Sequence, residues 1–487
     1  MQQNAGPQIS TKFFIRSVFL QSVLVLFALM LAAGALTFLI PTGSYQRQEL
    51  DGRIVIDPAS FQYTPRPDYP FWRWFTAPLE VLWGPDGLTV IVIIVFLLLV
   101  GASFAVLEKC GLLQAVVARL VGAYGGRKYT LLLVISLFFM AIGAFFGIFE
   151  EVVPLVPLTL ALSYYLGWDA LVGLGMSILA VNMGFSAAIT NPFTIGVAQK
   201  LAGLPLFSGA WLRLIIFAFI YVLFAFFLTR YARRVEAQPE TSPVFEQNRL
   251  SRERYAHFKL DALGQGRHLN QAILLFLFFL VLILLVLLST PFLPAVADYS
   301  LPLVGLLFFI GGISAALLGG ASGREVSAAA WQGLVGIAPA ILLILMAASV
   351  KYIVVRGGIL DTIIYTASQP FSRLGPYLAA LLIYLLVLVI EFFVASGSAK
   401  AFLLMPILLP LADLVSLTRQ TVVTSYCFGD GFSNLAYPTN PVLLICLGLA
   451  SVGYFKWLRW SLRLWFWVLL VTVLSLLFAV AIGYGPF

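Results

Sequence analysis

The triplets Thr190-Asn191-Pro192 and Thr439-Asn440-Pro441 each interrupt a long apolar stretch of this chain. Asn is a preferred residue at the position just before a helix, and Pro is favoured at the first helical position. Each triplet therefore predicts that a helix begins in the middle of an apolar segment. A backbone break at membrane depth must be buried in protein or line a water-filled cavity. Two such breaks, one in each half of the chain, indicate the substrate site of a secondary transporter.

The composition identifies the class of protein. The chain has 487 residues, of which 61% are hydrophobic and 10% are charged, whereas a soluble protein has roughly 25% charged residues. We therefore expect an all-α polytopic membrane protein that contacts the lipid bilayer. The basic residues flank apolar spans, so we expect no nucleic-acid partner. The three cysteines form no CxxC pair and the two histidines lie in a polar stretch, so we expect no metal site and no cofactor.

The order of apolar segments predicts two halves with the same layout, residues 1–232 and 271–487, joined by a polar cytoplasmic linker at 233–270. Each half contains a short amphipathic segment, a re-entrant hairpin and a broken transmembrane helix. We place the hairpins at about 129–166 and 376–414, and the broken helices at about 171–204 and 421–449. The two triplets lie 249 positions apart, at 190 and 439, which favours an internal repeat.

The distribution of Lys and Arg predicts the orientation of the chain. These residues are more frequent in the segments that would face the cytoplasm if the N-terminus is cytoplasmic. The C-terminus would then lie outside the prokaryotic inner membrane. The first hairpin would enter from the cytoplasm and the second from outside, so the two repeats would be inverted.

The two helix breaks are the first candidate binding groups. The half-helix after each break would expose N–H groups and the positive end of its dipole, which attract a carboxylate. The half-helix before each break ends in carbonyl groups, which suit a coupling cation such as Na⁺. We therefore assign substrate binding to Thr190, Asn191, Thr439 and Asn440, and coupling-ion binding to Asn191 and Asn440 as well. The alternative is a proline kink whose Asn only satisfies the freed backbone.

The junction of the first hairpin holds the pair Glu150-Glu151. Ionised carboxylates are costly at membrane depth unless they are paired. One of them could bind a substrate ammonium, a cation or a coupling proton. The alternative is a structural link to Lys400 or to backbone amides at the hairpin tip.

The junction of the second hairpin has different chemistry. Ser396-Gly397-Ser398 offers hydroxyls and a backbone that a ligand can approach closely, and Lys400 could neutralise a substrate carboxylate. Lys400 could equally pair with Glu391, or with Glu150 or Glu151. Because Ser398 and Lys400 also form a Ser-x-Lys pattern, an intramembrane hydrolase is one alternative function, although we do not expect an enzyme.

Further polar residues lie on the broken helices. Asp430, between two glycines, could bind a cation or form a buried polar link. Asn182 is a second candidate for the coupling ion, and Ser186 and Asn434 are more typical of helix packing. No GxxxxGK[ST] motif is present, so the expected driving force is a gradient of Na⁺ or H⁺. A passive channel is the other alternative from a different class.

Several of these stretches resemble the anaerobic C4-dicarboxylate carrier (DcuC-like) family of the ion-transporter superfamily, and its YfcC branch in particular. The resemblance implies inverted repeats with opposed hairpins, a homodimer formed by a scaffold domain, and a transport domain that moves as an elevator. It also implies symport or exchange of small carboxylate-bearing metabolites, C4-dicarboxylates or amino acids, with a basic amino acid antiporter as the alternative. The stretches that resemble the family are Gly147–Glu151, Asn191–Gln199, Ala202–Pro205, Ala395–Ser398, Phe428–Ser433 and Tyr437–Thr439.

Lys400 departs from the family pattern, in which a neutral residue follows the Ser-Gly-Ser stretch. A charged Lys400 that faces the site would disfavour a purely cationic substrate. The unlike hairpin tips, more than the matching triplets, should therefore determine which solute is bound.

Overall fold

The computed structural model describes residues 6–50, 53–123, 127–249, 267–289, 299–370 and 374–485. The first half contains ten helices that the sequence places in this order: α1 (Gly6–Leu39), α2 (Arg73–Glu80), α3 (Gly87–Lys109), α4 (Leu112–Ala123), α5 (Lys128–Phe146), α6 (Val156–Tyr165), α7 (Ala170–Leu174), α8 (Ala180–Ala187), α9 (Val197–Leu201) and α10 (Ala210–Ala237). A 3₁₀ turn, Glu150–Leu155, precedes α6, and π-helical turns lie at Gly175–Leu179 and Pro192–Gly196.

The second half continues with helices of similar order: α11 (Arg267–Ser289), α12 (Ser300–Leu318), α13 (Gly323–Arg356), α14 (Leu360–Ser368), α15 (Pro376–Glu391), α16 (Gly397–Leu414), α17 (Arg419–Gly431), α18 (Pro441–Ala450) and α19 (Tyr454–Ala481). Within the described ranges, nine helices are long and apolar enough to cross a membrane. This agrees with the multi-pass membrane protein that the composition predicts.

The segment after α1 corrects the expectation of a purely helical chain. Four short strands form two antiparallel pairs, in which Gly43 lies opposite Tyr63 and Arg47 lies opposite Ile56. The Arg47 Nη2 atom lies 2.9 Å from Asp361 Oδ2 on α14, which attaches this loop to the second half. The bounds of the strands are β1 (Gly43–Ser44), β2 (Arg47–Leu50), β3 (Arg53–Ile56) and β4 (Gln62–Tyr63).

Helix α10 extends further than expected, into the predicted linker. It ends at Ala237 because its last turns are bound to the rest of the protein: the Lys128 ammonium forms an ion pair with Glu236, and Tyr129 Oη donates to Glu236 Oε2. Most of the remaining linker, residues 250–266, lies outside the described residues.

The helices pack in two groups. In the first, α3 lies between α12 and α13, α11 lies against α12, and α1 and α2 lie against α13. In the second, the hairpins, α10 and α19 surround α8 and α17, which contact each other. The groups meet where α13 packs on α18 and where α12 contacts the 3₁₀ turn Glu150–Leu155. One hydrophobic core runs through both groups.

Helices α5 and α6 form hairpin 1. The Tyr129 ring, at the start of α5, lies 5.8 Å from the Trp168 ring, which follows α6. Both side chains donate to Glu236 Oε2, at 2.5 Å and 3.4 Å respectively. The chain therefore folds back on itself, and the open end of hairpin 1 lies at the C-terminal end of α10.

Helices α15 and α16 form hairpin 2, joined by residues 392–396. Thr418, just after α16, donates from Oγ1 to Tyr484 O at 2.6 Å, and Tyr484 Oη donates to Gly209 O. Gly209 immediately precedes α10. The open end of hairpin 2 thus lies at the N-terminal end of α10, opposite the open end of hairpin 1.

Close backbone packing holds α8 against α5. A Cβ atom on Gly184 would lie 1.7 Å from the Met140 carbonyl oxygen, so any side chain at this position forces the two helices apart. We expect Gly184→Ala to lower the unfolding free energy by about 1–3 kcal/mol through overpacking. Denaturant unfolding of the purified protein in detergent measures this change.

Gly448→Ala is the matched control, since a Cβ atom there meets nothing within 4 Å. Alanine favours a helix over glycine by about 1 kcal/mol, so this variant should be neutral or slightly stabilised. Equal unfolding midpoints for the two variants would contradict the packing described above.

Candidate functional site

The first break separates α8 from the π-helical turn Pro192–Gly196. Asn191 is completely buried, and its Oδ1 accepts hydrogen bonds from the N–H groups of Phe193 (2.9 Å) and Thr194 (3.3 Å). Its Nδ2 donates to Phe185 O at 3.4 Å. Asn191 therefore caps the helix as its sequence context predicts, with Pro192 at the first position.

The second break, residues 432–440, has the same cap. Asn440 Oδ1 accepts from Val442 N (2.9 Å) and Leu443 N (3.3 Å), and Pro441 occupies the first helical position. Its Nδ2 donates to Asn434 Oδ1 at 3.3 Å. Phe185 and Asn434, the acceptors at the two breaks, are also 249 positions apart in the sequence.

These caps correct one expectation from the sequence. We expected the half-helices to present free N–H groups to a substrate carboxylate. The first residue of each is Pro, which has no N–H, and the next two N–H groups are bound by the Asn side chain. The direct role of Asn191 and Asn440 is thus to satisfy the broken backbone, and only the dipole of each helix remains available to an anion.

The carbonyl side of each break is also satisfied, in each case from the last helix of the same half. Arg213 on α10 is buried, and its Nε and Nη2 donate to Ile189 O at 3.3 Å and 3.1 Å. Trp457 Nε1 and Tyr454 Oη on α19 donate to Leu435 O (2.8 Å) and Ala436 O (2.7 Å). Protein donors thus bind the carbonyls that we expected to suit a coupling cation.

A chain of close contacts connects both hairpin tips at the first break. Gly147, at the end of α5, packs on Asn191: a Cβ atom on Gly147 would lie 2.2 Å from Asn191 Oδ1. Thr194, which Asn191 caps, packs on Gly397 of the second tip, where a Cβ atom would lie 2.9 Å from Thr194 Cγ2 and 2.9 Å from Asp430 Oδ2. Because these approaches leave no room for a side chain, both tips need glycine.

The first tip holds its two glutamates in different environments. Glu151 is buried, and its carboxylate accepts from Ser300 Oγ (2.8 Å) and Phe149 N (3.3 Å). Glu150 remains partly exposed between buried neighbours, and its charge interacts with those of Glu151 and Asp430. Glu151 therefore attaches the tip to α12, whereas Glu150 is the glutamate that a ligand can reach.

Three buried residues form what we call the charged triad: Glu391, Lys400 and Asp430. Lys400 Nζ contacts Glu391 Oε2 and lies 2.8 Å from Asp430 Oδ1. Of the partners considered for Lys400 from the sequence, Glu391 is the one that it contacts. Lys400 is 0% exposed, so its ammonium compensates internal carboxylates and is not presented to a substrate.

The other predicted residues have different degrees of satisfaction. Ser396 is exposed and Gly397 and Ser398 are partly exposed. Thr190 Oγ1 donates to Phe145 O at 2.9 Å, and Ser186 Oγ donates to Asn182 O at 2.5 Å. Among the described residues, the side-chain amide of Asn182 and the hydroxyl of Thr439 are buried without a hydrogen-bond partner, which is the state expected of groups that await a ligand.

The structure brings Glu150, Asn191, Gly397, Lys400 and Asp430 into one connected region. The contacts of Asn440 run instead to Asn434 and to its own helix, α18, which packs on the 3₁₀ turn of the first tip. In the parts of the chain that the structure describes, no group of three or more His, Cys, Asp or Glu side chains could hold a metal ion.

Sequence reasoning missed several residues of this region. Arg213 had a recognisable signal, because a charged residue inside an apolar helix usually marks a functional or structural site. Thr194, Ser300 and Tyr426, whose hydroxyl donates to Gly397 O, had none, since they are common polar residues whose contacts form only in the folded protein.

The caps can be tested separately from any transport assay. We expect Asn440→Ala to destabilise α18 by about 1 kcal/mol, because two backbone N–H groups lose their acceptor. Hydrogen exchange at Val442 and Leu443 should accelerate about fivefold or more. Asn440→Asp retains the acceptor oxygen and should keep both amides protected, whereas equal exchange in the two variants would exclude the capping role.

The role of Lys400 predicts an effect on stability. Lys400→Met leaves two buried carboxylates without their counter-charge, which should lower the unfolding free energy by about 3–5 kcal/mol. Lys351→Met is the control: Lys351 pairs with Asp86 at 2.6 Å, but that carboxylate is 52% exposed, so its loss should cost less than about 1 kcal/mol. Similar unfolding midpoints for both variants would show that Lys400 is not a buried structural cation.

Comparison with known proteins identifies the family. Residues 19–481 match the family model described as C4-dicarboxylate anaerobic carrier, DcuC. The chain is 30% identical over 466 residues to YfcC of Escherichia coli (strain K12), provisionally described as a basic amino acid antiporter, with 90% of this chain and 92% of that protein covered. It is 25% identical over 370 residues to an uncharacterised protein of Haemophilus influenzae, with 75% of this chain and 71% of that protein covered.

Two solved structures are similar at a lower level. The YdaH transporter of Alcanivorax borkumensis has 20% identity and a TM-score of 0.39, covering 97% of this chain and 100% of that chain. MtrF of Neisseria gonorrhoeae, described with a class of antimetabolite efflux pumps, has 17% identity and a TM-score of 0.39, covering 96% of this chain and 98% of that chain. These TM-scores are too low to support an argument, and the assignment rests on the family match: the chain belongs to the C4-dicarboxylate anaerobic carrier family of multi-pass membrane transporters.

Proposed function

We propose that this protein is a secondary active transporter that couples the movement of small carboxylate-bearing metabolites, C4-dicarboxylates or amino acids, to an ion gradient. The observation that supports this most directly is the convergence of both hairpin tips on the first break, where a Cβ atom on Gly397 would touch both Thr194 and Asp430. Next to this contact, Glu150, Ser396 and Ser398 remain accessible in an otherwise buried environment.

The two halves of the chain support an alternating-access mechanism. The open ends of the hairpins lie at opposite ends of α10, as two inverted repeats require, so each tip can close the site from its own side of the membrane. The group formed by α1–α3 and α11–α13 would act as the scaffold of a homodimer. The second group, residues 128–237 and 376–481, would move as the transport domain of an elevator, with the N-terminus cytoplasmic and the C-terminus outside.

The charges around the tips favour amino acids over dicarboxylates within this proposal. Lys400 is the basic residue among the predicted site residues, and Glu391 and Asp430 already use its charge. Glu150 is accessible and lies in an acidic neighbourhood, which suits a substrate ammonium or guanidinium. The hydroxyls of Ser396 and Ser398 are the donors left for a substrate carboxylate, and this supports the alternative of a basic amino acid antiporter.

Proteoliposome uptake tests the proposal. Labelled aspartate, succinate, arginine and ornithine are offered separately, with Na⁺ and pH gradients imposed one at a time. We expect at least one amino acid to accumulate above its external concentration. A channel would stop at equal concentrations, and a hydrolase would form a product that Ser398→Ala abolishes.

Two sets of variants examine the site itself. Gly397→Ala should reduce uptake at least about tenfold, because the methyl group separates the tip from Asp430, whereas Gly375→Ala at the open end of the same hairpin meets nothing within 4 Å and should retain uptake. The proposed site would be wrong if Asn191→Ala and Asn440→Ala both left gradient-driven uptake intact in folded protein.

A further inference from the structure

The charged triad is unbalanced when all its groups are ionised. Two carboxylates face one ammonium, which leaves one negative charge in side chains that are between 0% and 2% exposed. An uncompensated buried charge is strongly unfavourable. The triad therefore has a place for one more positive charge.

The groups around the triad do not supply that charge. Glu150 on the first tip interacts with Asp430 and has the same sign. Tyr426 and Cys427 are neutral neighbours on α17. Arg213 on α10 uses its guanidinium for Ile189 O, Phe207 O and Tyr484 Oη.

The remaining elements packed on α17 also leave the charge unbalanced. Segments 180–187 and 192–196 contain no titratable residue. Tyr384 on α15 is bound to Thr472 Oγ1 at 3.0 Å. On α9, Lys200 is exposed, and on α19 the charge of Lys456 interacts with Glu246.

One carboxylate oxygen of the triad is unpartnered. Asp430 Oδ1 faces the Lys400 ammonium, whereas Oδ2 has no hydrogen-bond donor among the described residues although Asp430 is 0% exposed. This oxygen points at the second hairpin tip, since a Cβ atom on Gly397 would lie 2.9 Å from it. The vacant position is thus at the contact between α17 and the tip.

A proton fits this position better than a metal cation. The tip side offers Gly397 and the methyl group of Thr194, which are not ligands for Na⁺. A second cation would also lie next to the Lys400 ammonium and would be repelled by it. A proton adds the charge without a coordination shell.

We propose that the charged triad is the proton-coupling site of the transporter, with Asp430 taking one proton from water on one side of the membrane and returning it to water on the other. An O–H bond forms and breaks at Asp430, and nothing else is transferred. Ser396 and Ala399, one turn from Lys400, are exposed and provide the aqueous route. This inference rests on the proposed transport function and specifies its coupling ion.

Asp430→Asn tests the inference, because the amide mimics the protonated acid and leaves a neutral Glu391–Lys400 pair. The wild-type protein in proteoliposomes, tested with the same four solutes and with pH gradients of both polarities, should accumulate a solute up to about tenfold per pH unit for one proton. The variant should still exchange that solute at equal pH on both sides. Its accumulation ratio should fall to about one.

Glu391→Gln also removes the excess charge and should give the same uncoupled exchange, which guards against misfolding of a single variant. Asp413→Asn on α16 is the matched control, because its carboxylate is 47% exposed and pairs with Arg419 at the surface. It should retain pH-driven accumulation. Accumulation that persists in Asp430→Asn, or that requires Na⁺ in the wild type, overturns the inference but leaves the transport function in place.

A second readout does not depend on transport. An apolar carbodiimide modifies protonated carboxyl groups in apolar surroundings, and peptide mass spectrometry locates the adduct. We expect labelling of Asp430 or Glu391 that falls as the pH rises, and that is absent at both positions in the Asp430→Asn, Glu391→Gln double variant. If none of the four solutes is transported, the proposed function fails for them, and labelling still decides: an unlabelled triad at every pH overturns the proton site.

Discussion

Every backbone group at a helix break in an apolar environment needs a hydrogen-bond partner, and both halves of this chain are arranged around that requirement. At each break an Asn oxygen binds two N–H groups, with donor–acceptor distances of 2.9 Å and 3.3 Å in both cases. The carbonyls before the breaks are bound from α10 in the first half and from α19 in the second. The breaks are thus stable without a ligand, and their ends are not the main ligand contacts.

This saturation moves the expected chemistry from the helix ends to the hairpin tips. The first tip presents an accessible carboxylate, Glu150, and uses Glu151 to bind Ser300. The second tip presents hydroxyls and keeps its lysine inside, between Glu391 and Asp430. Two tips that are equivalent in the repeat therefore differ in function: one offers negative charge to a ligand, and the other closes over a buried ionic group.

Local signals in the sequence predicted most of the fold. The apolar spans, both hairpins and both Asn-Pro caps depend on residues that are close in the sequence, and the observed bounds differ from the predicted ones by a few residues. The small strands at Gly43–Tyr63 and the extension of α10 to Ala237 depend on distant partners such as Asp361 and Lys128. No local pattern reports those contacts.

The candidate site was less predictable for the same reason. The sequence placed Lys400 near several carboxylates, but the choice of Glu391 depends on how high the two arms of hairpin 2 stand relative to each other. The second partner, Asp430, depends on how α17 packs on that hairpin. Charge pairing of this kind is a property of the assembled core, whereas capping is a property of four consecutive residues.

The shared neighbourhood of Glu150 and Asp430 also constrains the direction of coupling. If a substrate ammonium binds Glu150, the added positive charge lowers the affinity of Asp430 for a proton, because the two carboxylates interact and binding effects between sites are reciprocal. Two cations that compete for one acidic region bind alternately, which is the relation that exchange requires. Symport would instead need the proton and the substrate to stabilise each other, as a dicarboxylate anion and a proton would. The sign of this coupling therefore depends on the charge of the solute, so amino acid antiport and dicarboxylate symport are the two pairings consistent with the same triad.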